Sequence, residues 1–338
     1  MADYININGN NIPIRASDPT NPIAGEIWYN LTTNELKGQI FQSAAWSTIT
    51  SRNTTTRGSG QTGTVTAGLV TAGFPGSFPV IRNTEEYNGS TWTEVNDTSA
   101  DHYFASMSGT QTTAIIAGGY QTLPNPVGAG NNAAETYDGT NWTSIPTINN
   151  RRYGMGNVGD SSLAIIFGGE NTASVNTTNT EEWNGSAWTE VNDMNTGMNY
   201  RGSIGNSQID CYAVGGLVPG SPNKSSNVEQ WDGTSWTAAN SLNTAVFAQG
   251  CWGTPTSGIS VGGDSTPSPT SSQTEIWDGT CFSISPASLN TGRQSAWNGF
   301  GTSGSNGIYA GGYNGTANTN VVEEFQGAGP AIVTFSSS

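Results

Sequence analysis

The sequence predicts an all-β chain built as a six-bladed β-propeller with a small β-rich segment in front of it, and three observations carry that prediction. Many short apolar runs stand between clusters of Gly, Asn and Pro. No stretch sustains a helical hydrophobic period. One phrase also returns six times: an apolar run ending in a small-Gly or Gly-Gly step, then Glu-x-aromatic, and in most copies an Asn-Gly or Asp-Gly turn and a Trp. Short strands repeated at that spacing close into a ring of four-stranded sheets more readily than they stack as a solenoid.

Residues 1–50 stand apart from the repeats. Ile5, Ile7, Ile12 and Ile14 alternate with polar residues as a strand does. Then come Asn21-Pro22-Ile23-Ala24-Gly25-Glu26-Ile27-Trp28-Tyr29-Asn30, Leu36-Lys37 and Phe41…Trp46. This stretch resembles a short module of bacteriophage tail-fibre and other virion proteins. A generic three-stranded meander is the plainer reading of the same residues.

From residue 51 the repeats take over. The glycine step falls at 72, 118, 168, 215, 262 and 311. The aromatic that follows is Tyr87, Tyr137, Trp183, Trp231, Trp277 or Phe325. The third copy reads Arg152-Tyr153, Phe167-Gly168-Gly169, Glu181-Glu182-Trp183-Asn184 and Trp188. In that order of residues it resembles the kelch family, over residues 51–327. The copies depart from the pattern in places. The first has Ala72-Gly73, the fifth has Phe282 for Trp, and the sixth lacks the Trp. The aromatic and the Trp are expected to form core between blades, and the glycine pair to let blades approach near the axis. Asn88-Gly89 and its equivalents suit a two-residue hairpin turn, which would set Tyr87 opposite Ser90 and Glu85 opposite Trp92.

A Glu precedes each aromatic by two residues: Glu85, Glu135, Glu181, Glu229, Glu275 and Glu323. Six spaced carboxylates could ring a metal or serve acid–base chemistry. An Arg or His near the start of most inner strands gives the simpler account: Arg57, His102, Arg152, Arg201 and Arg293, with Phe247 in the fifth copy. A half-buried carboxylate needs a partner, and Arg offers a bidentate one. These residues are therefore expected to form structural ion pairs.

Composition narrows function. Against 25 acids stand 10 bases, for a net charge of −15. Nucleic acid is excluded as a partner, because phosphate binding needs clustered Lys and Arg. Cys211, Cys251 and Cys281 show neither zinc spacing nor an even number for bridges, and read as small buried thiols. The single histidine marks no metal centre or catalytic triad. No cofactor, metal or catalytic residue is expected, and the chain is read as a non-enzyme. The polar start does not read as a secretory leader, and no apolar run has membrane length.

Closure of the ring has two readings. Phe41…Trp46 lies one blade period before Tyr87…Trp92, so the N-terminal segment can supply the outer strand of blade six. Alternatively Ala331–Phe335, which reads as a strand, completes that blade and leaves residues 1–50 as a separate adaptor. The second is preferred here and gives domains of 1–50 and 51–338. The loops between second and third strands vary most and lie on one face. They carry Phe78, Tyr120, Asn125 and Tyr313, the candidate ligand-binding residues. The resemblances imply a virion protein assembled in a host cytoplasm. It would dock to other virion proteins through residues 1–50 and turn the loop face toward a host-surface glycan, with homo-oligomers compatible. A decoration protein that binds no receptor and a cytoplasmic kelch interaction module are the rival readings.

Overall fold

The structure, a computed structural model, describes residues 12–120, 131–219, 224–296 and 298–335. It divides into two compact units, one formed by 1–45 with 327–338 and the other by 46–326.

Among the described residues the larger unit holds six four-stranded sheets. Blade one shows the plan: Gly60–Thr64 innermost, then Ala67–Gly73, Ile81–Tyr87 and, outermost, Trp92–Val95. The inner strands of successive blades touch in a closed ring, including Phe300–Ser303 of blade six against Gly60–Thr64 of blade one. Core fills the spaces between blades. Ile115, Ala117 and Ile148 of blade two pack with Ala164, Ile166, Trp183 and Trp188 of blade three. Val70, Tyr87 and Trp92 of blade one pack with Phe300, Ile308 and Val322 of blade six. Indole N–H groups stitch blade to blade: Trp142 Nε1 donates to Thr84 Oγ1 at 3.0 Å, and Trp236 Nε1 to Thr180 Oγ1 at 3.0 Å.

Blade six is closed by the N-terminal strand Ala45–Ile49, which lies outermost in the sheet beside Val322–Gln326. This corrects the preferred reading. Trp46 takes the place of the Trp that the sixth copy lacks. Its ring lies 5.2 Å from Phe325 and 6.2 Å from Trp252, and its Nε1 donates to Thr274 Oγ1 at 2.9 Å. The C-terminal strand Gly329–Phe335 pairs instead with Glu35–Gln42. The propeller therefore spans 46–326 and not 51–338.

The hairpin register also differs from expectation. Tyr87 faces Trp92 and Glu85 faces Glu94, across a four-residue loop. Gly89 has a φ of +91°, whereas Asn88 is not left-handed; its carboxamide oxygen accepts the N–H groups of Ser90 and Thr91. The Asn or Asp acts as a side-chain cap on the turn rather than as a left-handed residue. The direct aromatic pairing places Tyr87 and Trp92 4.9 Å apart. Of the cysteines, Cys211 and Cys251 are buried, and burial pushes the Cys251 thiol up to about 12. Cys281 is exposed, because it sits on the Asp278 turn.

The smaller unit is one sheet in the order Ile14–Arg15, Ile27–Asn30, Glu35–Gln42, Gly329–Phe335. Trp28 and Asn30 point the same way from their strand, and both hold Asp18, at 3.0 and 2.6 Å. Lys37 joins them at 3.0 Å. Hydrogen bonds from Asn30, Trp28 and Lys37 keep the Asp18 carboxyl below its usual range. The Trp-aromatic-Asn pattern of the sequence is thus a device for anchoring the preceding loop. Ile5 and Ile7 lie outside the described residues, and Ile12 is not in a strand.

Candidate functional site

The recurring glutamates are consumed by structure. Each accepts backbone N–H groups from the loop that enters its own blade. Asn53 and Thr54 donate to Glu85, Ser99 and Ala100 to Glu135, Asn195 and Thr196 to Glu229, and Asn243 and Thr244 to Glu275. Asn149 donates to Glu181, and Asn290 and Thr291 to Glu323. An Asn-Thr pair supplies these donors at 53–54, 195–196, 243–244 and 290–291, and that recurrence is the trace of the latch in the sequence.

The cations arrive from unequal positions. Arg152 stands 3.0 Å from Glu181, both fully buried, in ion-pair contact but without hydrogen-bond alignment; its Nε donates to Met155 Sδ instead. Arg293 pairs with Glu323, and Arg201 lies 3.8 Å from Glu229. Burial pushes Arg201 down to about 10 against the opposing pull of Glu229. Two expectations fail. Glu85 is met by Arg52, at 3.2 Å, not by Arg57. Glu275 has no cation beside it among the described residues and takes Gln273 Nε2 at 3.0 Å, since the Arg position is Phe247.

In blade two the partner is His102, whose Nε2 lies 3.1 Å from Glu135. Burial pushes the Glu135 pKa up, and His102 with the Ser99 and Ala100 N–H groups pulls it down by more, for a net depression. A carboxyl held low in the folded state adds stability above its unfolded pKa, and that stability drains as pH falls through the folded value. Glu135→Gln should therefore flatten the acid side of the stability profile, read by denaturant melts at a series of pH values below the ordinary carboxylate range. An unchanged slope would show that Glu135 carries none of it.

Around the axis, on the variable-loop face, runs a closed belt of six backbone hydrogen bonds. Phe104 N–H donates to Gly58 O, Gly154 to Phe104, Tyr200 to Gly154, Ala248 to Tyr200, Ser295 to Ala248 and Gly58 to Ser295, at 2.6–3.0 Å. All six residues are left-handed, with φ from +54° to +71°. Such a backbone costs a non-glycine residue roughly 1–2 kcal/mol. Phe104 and Tyr200 adopt it because the belt uses both their N–H and their C=O.

This backbone displays aromatic rings at the axial mouth. Phe78 lies 5.1 Å from Phe74, Phe74 stacks on Tyr103 at 5.4 Å, and Phe104 meets Tyr200 at 5.1 Å. Tyr120 meets Tyr153 at 5.4 Å, and Tyr200 meets Phe247 at 6.0 Å. Burial raises the hydroxyls of Tyr103, Tyr153 and Tyr200, so all three stay neutral. Tyr153 donates to Glu170 at 2.6 Å, and Asn199 donates to the other Glu170 oxygen at 2.6 Å. Arg57 lies between two rings, 5.1 Å from Phe74 and 5.2 Å from Tyr313. A cavity of about 320 Å³ opens between Arg57, Tyr103, Tyr200, Phe247, Gln294 and Tyr313.

Of the four predicted binding residues, the structure brings Phe78, Tyr120 and Tyr313 to this face, and Asn125 lies outside the described residues. Sequence reading missed Tyr103, Tyr153, Tyr200 and Phe247, which recur about one repeat apart just ahead of the inner strands. The opposite end of the axis is a polar channel of about 300 Å³ lined by inner strands, among them Gln61, Ser108, Asn157 and Ser203.

The chain is a six-bladed kelch-like β-propeller joined to a small separate β-sheet. Among solved structures it is similar to YjhT, a kelch-repeat β-propeller protein, with a TM-score of 0.67 and 11% identity over 82% of this chain and 99% of that one. At that identity the likeness establishes the fold. No protein-family model and no curated protein matches the chain.

Proposed function

We propose that this is a non-enzymatic virion protein that binds a host-surface glycan at the aromatic mouth of its propeller. The observation that carries the reading is the girdle of aromatic rings and neutral hydroxyls set on a belt of hydrogen-bonded backbone. Flat apolar faces beside fixed polar groups suit sugar rings, and a rigid ring beneath them spares the ordering cost of binding. The recurring acids are already committed to the loop latches. The virion setting rests on the Asn21–Asn30 and Leu36-Lys37 motif at the N-terminus. In that setting residues 1–50 contact other virion proteins, and many weak sites on one particle reinforce each other. The sheet unit exposes Ile23 and Phe41, where such a contact would form.

Two measurements test this. The chain should be found in purified particles. Host cells should bind the isolated protein, and Phe78→Ala with Tyr313→Ala should weaken that binding at least about tenfold, the loss of a small part of a stacking surface. The melting temperature should hold, because Phe78 is exposed and Tyr313 half-buried. Full cell binding by the double variant would remove the mouth from the site. Particle incorporation with no cell binding would leave a purely structural decoration protein.

A further inference from the structure

Arg57 differs from the other propeller arginines at the axis. Arg52, Arg152, Arg201 and Arg293 are buried and each faces a Glu. Arg57 is half-buried and has no ion pair among the described residues, in a chain with a net charge of −15. Its position between Phe74 and Tyr313 fixes the guanidinium by cation–π contact on two sides. The Tyr103 hydroxyl engages the same guanidinium, its Nε is buried without a hydrogen-bond partner, and the side chain lines the cavity. A planar fork of donors held this way at a cavity edge is a receptor for a carboxylate or a phosphate.

We propose that the mouth takes a saccharide bearing one anionic group, seated on Arg57 while the sugar ring lies against the neighbouring Tyr faces. The proposal rests on the glycan reading above and adds the charge of the ligand. The anionic group is single and isolated, because a densely charged polymer would be repelled by the acidic chain as a whole. Gln294, which lines the same cavity, offers donors and an acceptor for ring hydroxyls.

Calorimetric titration of the full chain with methyl glucuronide, methyl glucoside and glucose 6-phosphate tests it. The first two share a ring and differ in the carboxylate; the third moves the charge to a phosphate and separates the two sources. At least one anionic sugar should bind about tenfold or more tightly than the glucoside. Arg57→Gln should abolish that preference, so that the anionic sugars bind the variant no more tightly than the glucoside does. Equal binding of all three sugars by the wild-type chain overturns the charge inference and leaves the glycan reading standing. Retention of the preference by Arg57→Gln overturns the role of Arg57. Binding of none of the three overturns the inference, and absence of cell adhesion in the same preparation removes the glycan reading too. The wild-type comparison decides the matter even if the variant folds poorly.

Discussion

A chain lacking residues 1–50 is expected to lose its cooperative unfolding transition, whereas a chain ending at 326 keeps the propeller transition. The reason is the source of the closing strand. Ala45–Ile49 is the outermost strand of blade six, and without it Val322–Gln326 presents an open edge. The loss also empties the Trp46 position, where the indole is 7% exposed and packs on Phe325 and Trp252. Trp46→Ala alone should cost about 3–5 kcal/mol, the range for deleting a buried aromatic. Part of that is the hydrogen bond to Thr274 in blade five. Gly329–Phe335 pairs with Glu35–Gln42 in the smaller unit, so its removal takes nothing from blade six. Circular dichroism melts of the two truncations and of Trp46→Ala check this. A stable propeller without residues 1–50 would show that the ring closes some other way.

The second large effect is expected at Arg152. Arg152→Ala should destabilise by about 3–5 kcal/mol, because it leaves Glu181 buried and charged with only the Asn149 groups to hold it. Adding Glu181→Gln should recover part of the loss, since a neutral amide still accepts the Asn149 N–H and carries no uncompensated charge. The chain is expected to fold in both cases, which makes the coupling measurable in a double-mutant cycle. Independent, additive losses would mean that the 3.0 Å contact carries no coupling energy. Arg57, which the sequence sets in the same role, should behave differently: its loss touches binding and spares stability, because no buried carboxylate is left behind.

Much of the ring was legible in the chain. The glycine steps, the Glu-x-aromatic phrase and the Asn-Gly or Asp-Gly turns repeat because each blade solves the same local problem. A residue pair such as Gly168-Gly169 is left-handed at both positions, and a Cβ on Gly168 would meet the Met198 carbonyl at 2.8 Å. Such requirements act over a few residues and leave a regular trace. The face that bears the variable loops followed from strand alternation in the same way.

Other features were settled only in three dimensions. Ala331–Phe335 and Ala45–Ile49 both read as strands, and local pattern does not say which free edge each will meet. Arg52 and Arg57 stand five residues apart ahead of the same inner strand. The path of the entering loop turns one inward to Glu85 and the other outward between Phe74 and Tyr313. The mouth itself gathers Arg57, Tyr103, Tyr200, Phe247 and Tyr313 from five blades. The sequence alone determined the number of blades and the chemistry of one, because those are short-range demands repeated along the chain. Which edges join, which cation each carboxylate finds and which rings share a cavity depend on distances across the axis, and linear spacing does not contain them.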